Sequence, residues 1–176
     1  GALLKPALPI AITRLCHGGG APHAVSCAHY RQWERHVYFQ SRDPSPAVSR
    51  GFLLAGAYNI GGVLLFSQGL TSSTLATQDP QAFSTLGLLA IMLWGCAYAS
   101  VARVYPRLPA LVLVFALEKL LYTGNWLLWL DAHAHRLPAL FAEAPLTAVF
   151  YGIYGAGDLL FAIFFALIGI RAWRNN

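Results

Sequence analysis

The chain has 176 residues, of which 57% are hydrophobic and 11% are charged, and its formal net charge is +5. A soluble globular domain carries roughly a quarter charged residues, so this composition argues against a soluble protein. The positive charge follows the ends of apolar segments rather than forming a separate basic patch. It therefore indicates membrane topology, and we predict no nucleic-acid partner.

Residues 1–50 show no sustained hydrophobic period and are rich in proline and histidine, which predicts a loop-rich N-terminal cytoplasmic arm. The arm carries thiol and imidazole groups, the ligands that zinc and copper prefer: Cys16, His17, His23, Cys27 and His29. Their spacing matches no standard zinc finger, and the arm has no CxxCH motif for covalent haem. Incidental ligands in a flexible arm are favoured over a metal site, and we predict no cofactor.

Four windows after Arg50 are each apolar over about 20 residues, the length that a helix needs to cross the hydrocarbon core of a bilayer. An unpaired backbone amide is costly in hydrocarbon, so spans of this length must be helices rather than strands. We predict an all-α fold, with a four-transmembrane-helix bundle in residues 51–176. The predicted spans are 51–70, 83–104, 108–130 and 146–170.

Lysine and arginine lie mainly on one side of these spans: in the arm, between spans two and three, and after span four. The opposite side holds only Arg136, together with the acidic residues Asp79, Asp131 and Glu143. Positively charged loops stay in the cytoplasm. We therefore predict a multi-pass protein of the bacterial inner membrane with both termini cytoplasmic.

Ionisable side chains are rare at the centre of a membrane, and they usually mark a site or face a partner. Glu118 and Lys119 in span three and Asp158 in span four lie near the predicted midplane, as does Asn59 in span one. Further polar candidates share their helix faces or lie beside them: Tyr58, Tyr122, Asn125 and Tyr154. We expect these faces to converge on one interior polar layer.

Two interpretations of this layer are open. In the functional one, Glu118 and Asp158 accept protons or bind a cation in a pocket lined by tyrosines. In the structural one, Lys119 pairs with one of the two carboxylates, and Asn59 and the tyrosines hold the helices together. Two acids against one base leave one carboxyl without a charged partner. That carboxyl is the strongest functional indication in the sequence.

Small residues four positions apart allow helix backbones to approach closely in a membrane. The pairs in this chain are Ala57 with Gly61, Gly95 with Ala99, and Gly152 with Ala156. We expect close helix packing at these pairs.

The chain resembles a group of small uncharacterised bacterial four-helix membrane proteins in the order and placement of four runs. The runs are AYNIGG (57–62), LGLLAIMLWGCAYASVAR (86–103), EKLLY (118–122) and GDLLFAIFF (157–165). The resemblance covers residues 51–171 and implies the same fold, without an established activity. Members of the group often carry GK where this chain has Glu118 and Lys119, so the resemblance implies that Asn59, Lys119 and Asp158 are the shared polar residues.

The sequence contains no motif for a nucleotide-binding loop, a serine hydrolase, a zinc protease or a thiol oxidoreductase. We predict a protein that binds or conducts a small solute or a proton through the polar layer. One alternative is a non-catalytic accessory subunit of a larger membrane complex, and another is a small membrane enzyme acting on a lipid-soluble substrate. A non-enzymatic role is favoured. The expected partners are the lipid bilayer and either further copies of the chain or a larger membrane complex.

Overall fold

A computed structural model describes residues 43–175, and every regular element in this range is a helix. Helices account for 83% of the described residues. They are α1 (Pro46–Phe66), α2 (Thr74–Gln78), α3 (Thr85–Val101), α4 (Pro109–His133), α5 (Leu137–Glu143) and α6 (Pro145–Arg174), with short 3-10 helices at Tyr105–Arg107 and Ala134–Arg136. The predicted all-α class is confirmed for this range, whereas most of the predicted arm lies outside it.

Three stretches of the described chain are long and apolar enough to cross a membrane. They are α1, the stretch Pro109–Glu143 that contains α4 and α5, and α6. The helix α3 is also apolar, but its 17 residues are at the lower end of the length that a crossing needs. These helices are compatible with a membrane protein.

The first helix differs from the predicted span at both ends. It begins at Pro46 rather than at Gly51, so the last residues of the predicted arm are helical. Proline is favoured in the first turn of a helix because the N–H group that it lacks would have no helical partner there. The helix ends at Phe66 rather than at residue 70, since the backbone takes positive φ at Gln68, Gly69 and Leu70.

The other long helices also differ from their predicted spans. The helix α3 begins after the predicted residue 83, because the Ser84 side chain caps it by accepting from the Gly87 amide at 3.2 Å, and it ends at Val101 rather than at residue 104. The helix α4 continues to His133, beyond the predicted end at residue 130, and α6 continues past residue 170 to Arg174. Hydropathy marks the apolar part of a helix, whereas backbone hydrogen bonding continues into its polar ends.

The four long helices pack as two antiparallel pairs, α1 with α3 and α4 with α6. The first pair meets at two glycines. A Cβ atom added to Gly56 would lie 2.7 Å from the carbonyl oxygen of Gly95, and one added to Gly95 would lie 2.9 Å from that of Gly56. Gly95 thus makes the close contact that its small-residue pattern predicted. Its partner is Gly56, whereas Ala57 and Gly61 are exposed.

The two ends of the helix array differ in charge. At the arginine end, where α1 and α4 begin and α3 and α6 finish, the exposed cations are Arg50, Arg103, Arg107, Arg171 and Arg174. At the opposite end, which we call the capped end, residues 67–84 lie against α4 and α6. The Tyr151 hydroxyl donates to the Leu75 carbonyl at 2.9 Å, and the Trp129 indole donates to the Gln78 carbonyl at 3.3 Å. Asp79 thus lies in the cap.

An aromatic core fills the half of the array toward the arginine end. It consists of Phe52, Tyr98, Phe115 and Phe165, one from each long helix, and all four are fully buried. The ring of Phe165 lies 4.9 to 5.6 Å from each of the other three, and the rings of Tyr98 and Phe115 lie 4.9 Å apart. These distances are in the range of favourable edge-on and offset contacts. The core therefore ties the two helix pairs together.

Candidate functional site

Lys119 joins three of the long helices. Its Nζ donates to Asn59 Oδ1 on α1 at 2.7 Å and to Asp158 Oδ1 on α6 at 2.6 Å, and the side chain is 2% exposed. The ammonium also lies 5.9 Å from the ring centroid of Tyr58 and 5.5 Å from that of Tyr98, close enough for cation–π attraction. Of the two acids that the sequence offered as its partner, Lys119 therefore pairs with Asp158.

Asn59 is bonded through both ends of its amide group. Its Oδ1 accepts from Lys119, and its Nδ2 donates to the carbonyl oxygen of Ile91 on α3 at 3.0 Å. A buried amide that leaves neither end unpaired contributes to stability rather than weakening it. Asn59 thus connects the α1–α3 pair to the ion pair on the other two helices.

Glu118 is the carboxyl that the ion pair leaves over. Its Oε2 accepts a hydrogen bond from the hydroxyl of Tyr98 on α3, but its Oε1 is buried and has no hydrogen-bond partner among the described residues. Glu118 is 6% exposed. A buried carboxyl oxygen without a partner is costly, so it is a place where a proton or a donor group of a ligand would be stabilised.

The remaining candidates lie at this polar layer (Asn59, Glu118, Lys119 and Asp158), as Tyr58 does, or between it and the capped end. The Tyr58 hydroxyl donates to the Tyr154 carbonyl at 3.0 Å. The Asn125 amide donates to Asp79 Oδ2 at 2.8 Å and to the Tyr154 hydroxyl at 3.4 Å. Asn125 therefore faces the cap, whereas Tyr122 lines a cavity above the layer.

This cavity begins at the polar layer and extends toward the capped end. All four residues of the layer line its floor, and the walls carry apolar and aromatic side chains from all four long helices. Leu75 and Phe83 from the connection 67–84 also line it. The cavity gives the centre of a water molecule about 80 Å³ of space, several times the roughly 15 Å³ that one water needs. A mostly apolar cavity with a few polar groups at one end is typical of a small-molecule site.

Two parts of this site were not among the residues predicted from the sequence. Tyr98 donates a hydrogen bond to Glu118. The sequence signal that could have indicated Tyr98 is its depth in span two, which matches the depth of the polar residues in the other spans. Asp79 holds Asn125 through a cap that hydropathy treats only as a loop. The sequence has no signal that would bring this loop onto the end of the helices.

The metal-ligand candidates of the arm, Cys16, His17, His23, Cys27 and His29, lie outside the described residues. Within residues 43–175, no three histidine, cysteine or acidic side chains come together in a group that could hold a metal ion.

Comparisons with known proteins found no relative of this chain. No protein-family model, no curated protein and no solved structure matches the chain. The resemblance drawn from the four sequence runs therefore stays a prediction.

Proposed function

We propose that this chain is an integral membrane protein of four transmembrane helices that binds a small molecule in the cavity above its polar layer. The observation that carries the proposal is the cavity itself, which Glu118 lines. One carboxyl oxygen of Glu118 is buried and has no partner in the described residues. The polar layer consists of the residues for which the sequence predicted binding or conduction of a small solute or a proton.

The fourth crossing is supported by the outer surface of α3. Leu86 and Leu93 are 77% and 71% exposed, as exposed as Leu121 on α4 and Leu160 on α6 at 74% and 70%. Helix faces with leucines as exposed as these are unfavourable in water and ordinary in lipid. The 17 residues of α3 would extend roughly 26 Å at 1.5 Å per residue, enough for a thin bilayer core. Four crossings account for the exposed leucines of all four helices.

The direction of the helices is supported by the arginine end. Five exposed arginines of residues 43–175 lie there, whereas the capped end holds Arg136 with several acidic residues. We propose that the arginine end faces the cytoplasm of a bacterium and that the chain belongs to its inner membrane, with both termini cytoplasmic.

The shape of the interior favours binding over conduction. A conducted ion or proton needs a polar path that continues on both sides of the layer. The half toward the arginine end contains the aromatic core instead, and its four rings are fully buried. An interior with a cavity on one side of the layer and packed rings on the other would hold a molecule rather than pass it across.

The charges of the layer indicate the chemistry of the ligand. Lys119 and Asp158 neutralise each other, and Asn59 bonds to the same ammonium. Among the charged residues of the layer, Glu118 has no charged partner within the described chain, so the group that binds beside it is a hydrogen-bond donor, such as an amine, an ammonium or a hydroxyl. The remainder of the ligand is apolar, because the cavity walls are apolar.

Native mass spectrometry of the protein, purified from its own host in a mild detergent, tests this proposal. We expect a bound small molecule on the wild type that is lost in Glu118→Gln and kept in Glu143→Gln, since Glu143 is exposed and distant from the layer. An empty wild-type protein, or a retained molecule that Glu118→Gln leaves unchanged, would contradict a site at Glu118. Flux assays in proteoliposomes complement it: proton flux that falls in both Glu118→Gln and Asp158→Asn would favour conduction instead.

A further inference from the structure

We infer that the cavity opens sideways into the lipid through a window between α1 and α6, and that its ligand is a lipid-soluble molecule that enters there. The inference rests on the proposed binding function and adds the route and the class of ligand. The window is the gap between Gly62 on α1 and Ile153 on α6.

The first observation is a missing side chain in a row of bridging aromatic residues. Tyr58, Gly62 and Phe66 lie four residues apart on one face of α1. Tyr58 bridges to α6 through its bond to the Tyr154 carbonyl, and the Phe66 ring lies 5.2 Å from the ring of Phe150. Gly62 lies between them and lines the cavity, and a Cβ atom added to it would meet nothing within 4 Å.

The second observation comes from the facing helix. Ile153 lines the cavity and is 54% exposed, which makes it the one exposed residue among those that line the cavity in the described chain. Few residues of α1 and α6 come close to one another, and fewer still of α3 and α4, whereas α1 packs tightly on α3 and α6 on α4. The α1–α6 side is distinguished by the bare Gly62 and the exposed Ile153. One wall of the cavity is therefore thin where Gly62 faces Ile153, and that wall faces the lipid of the proposed bilayer.

The routes from water are closed on both sides of the cavity. Toward the capped end, Leu75 and Phe83 are 0% and 1% exposed. The Leu75 carbonyl is held by Tyr151 on α6, and Thr74 shares a hydrogen bond of 2.9 Å with Thr147 on the same helix. Toward the arginine end the aromatic core fills the interior. A ligand therefore reaches the cavity more easily from the hydrocarbon than from either aqueous side.

The window also limits what the ligand is. About 80 Å³ of space holds a small head but no long chain, so the apolar remainder of a larger molecule would leave through the window and lie among the acyl chains. The head donates a hydrogen bond to Glu118 at the floor. The class of ligand is thus an amphiphile with one donor head and an apolar body.

Cysteine labelling in liposomes tests the route without knowledge of the ligand. The reporter is Leu88→Cys, on the α3 wall of the cavity and 5% exposed, in a background where Cys16, Cys27 and Cys96 are replaced by serine. The two probes share one reactive group: N-phenylmaleimide dissolves in lipid, and a sulfonated maleimide stays in water. Gln68→Cys, exposed in the cap, is the control that both probes should label.

We expect N-phenylmaleimide to label Leu88→Cys while the sulfonated maleimide does not. Adding Gly62→Phe should slow this labelling by about tenfold or more, because the ring fills the window, whereas Gly61→Phe should change it by less than about twofold. Gly61 is the matched control since it is the neighbouring glycine, is exposed, and also has nothing within 4 Å of an added Cβ. The milder Gly62→Leu should slow labelling less, and circular dichroism checks the fold of each variant.

Three results would overturn the inference. Equal labelling of Leu88→Cys and Gln68→Cys by the sulfonated maleimide would indicate entry from water. Unchanged labelling in Gly62→Phe, with slower labelling in Ile91→Phe, would move the entrance to the gap between α3 and α4. No labelling of folded Leu88→Cys by either probe would mean a closed cavity. None of these bears on whether a molecule is retained at Glu118, so the route and the binding function fail separately.

Discussion

The two halves of the helix array, on either side of the polar layer, are both rich in aromatic residues but differ in how completely they are filled. Toward the arginine end, each long helix contributes one fully buried ring, and the Phe165 ring contacts the other three. Toward the capped end, α1 contributes Gly62 in the row between Tyr58 and Phe66, and a cavity lies beside it. The half with the aromatic core is thus packed by a ring from every long helix, whereas the half with the cavity lacks a side chain at Gly62.

This difference suggests that one half mainly stabilises the helix array and that the other mainly binds the ligand. In lipid, helices are held together by van der Waals packing and interhelical hydrogen bonds rather than by escape from water. The aromatic core supplies the packing on one side of the layer, and the hydrogen bonds of Lys119 join the helices at the layer itself. The other half can then contain a cavity without separating the helices. Substitutions in the two halves should therefore differ in their effect on stability and on binding.

The largest expected effect is at the boundary between the halves. Asp158→Asn leaves the ammonium of Lys119 buried without its anion, and removal of one partner of a buried ion pair lowers the free energy of unfolding by about 3–5 kcal/mol. Asp131→Asn, at an exposed position, should change it by less than about 0.5 kcal/mol. Thermal and denaturant unfolding in detergent measure both.

A second variant keeps that prediction testable if Asp158→Asn fails to fold. The double substitution Lys119→Met with Asp158→Leu removes both charges, and it should recover most of the lost stability. A double variant that is no more stable than Asp158→Asn would mean that the contacts of Asn59 with Lys119, rather than the charge pair, hold the helices here.

The next effect compares one buried ring from each half. Phe115→Ala removes a ring from the aromatic core and leaves a void in a packed interior, which should lower the free energy of unfolding by roughly 3–5 kcal/mol. Phe83→Ala removes an equally buried ring that lines the cavity, and it should cost about 1 kcal/mol less because the space that it leaves joins an existing cavity. Equal losses would mean that the two halves are packed alike.

A smaller effect is expected at the contact between α1 and α3. Gly56→Ala adds a Cβ atom 2.7 Å from the Gly95 carbonyl oxygen, so the helices must separate. The loss should be about 1–2 kcal/mol, as for overpacking elsewhere. Gly61→Ala, on the exposed side of the same helix, has no such contact and serves as the control. Equal melting temperatures for the two variants would contradict a tight α1–α3 contact.

The smallest effect on stability, with a large effect on binding, is expected at Glu118. Glu118→Gln keeps the size of the side chain and an oxygen that can accept from Tyr98, so the free energy of unfolding should change by less than about 1 kcal/mol. The retained molecule should nevertheless be lost. A strongly destabilised Glu118→Gln would instead indicate that Glu118 has a structural role, like that of Lys119 and Asp158.

Hydrophobicity and helical spacing predicted the helices and the residues of the polar layer, but not how those residues pair. The sequence placed Asn59, Glu118, Lys119 and Asp158 at one depth, and the structure brings all four to the floor of one cavity. It left Lys119 with two possible acids, because neighbouring residues on a helix point about 100° apart and either direction can face a partner. The packing of α4 between the other helices selects Asp158 for Lys119 and Tyr98 for Glu118.

Helix ends and the cap were less predictable. A hydropathy window extends over the turn at residues 68–70, where positive φ ends α1, because the turn contains an apolar residue and a glycine. Asp79 and the short helix α2 read as a loop in the sequence. Their contacts with Asn125, Trp129 and Tyr151 are between residues about 46 to 76 positions apart along the chain, a separation that local patterns do not report.

The sequence by itself determined that the described part of this protein is all-helical and apolar enough for a membrane, and that an unmatched carboxyl lies among its helices. These properties follow from the composition and from the spacing of residues along each single helix. The tertiary structure alone decided which carboxyl is unmatched, that a cavity lies above it, and that one glycine leaves that cavity thinly walled. The reason is that pairing, cavity and window are formed between helices, where the relative position of two backbones decides which side chains meet.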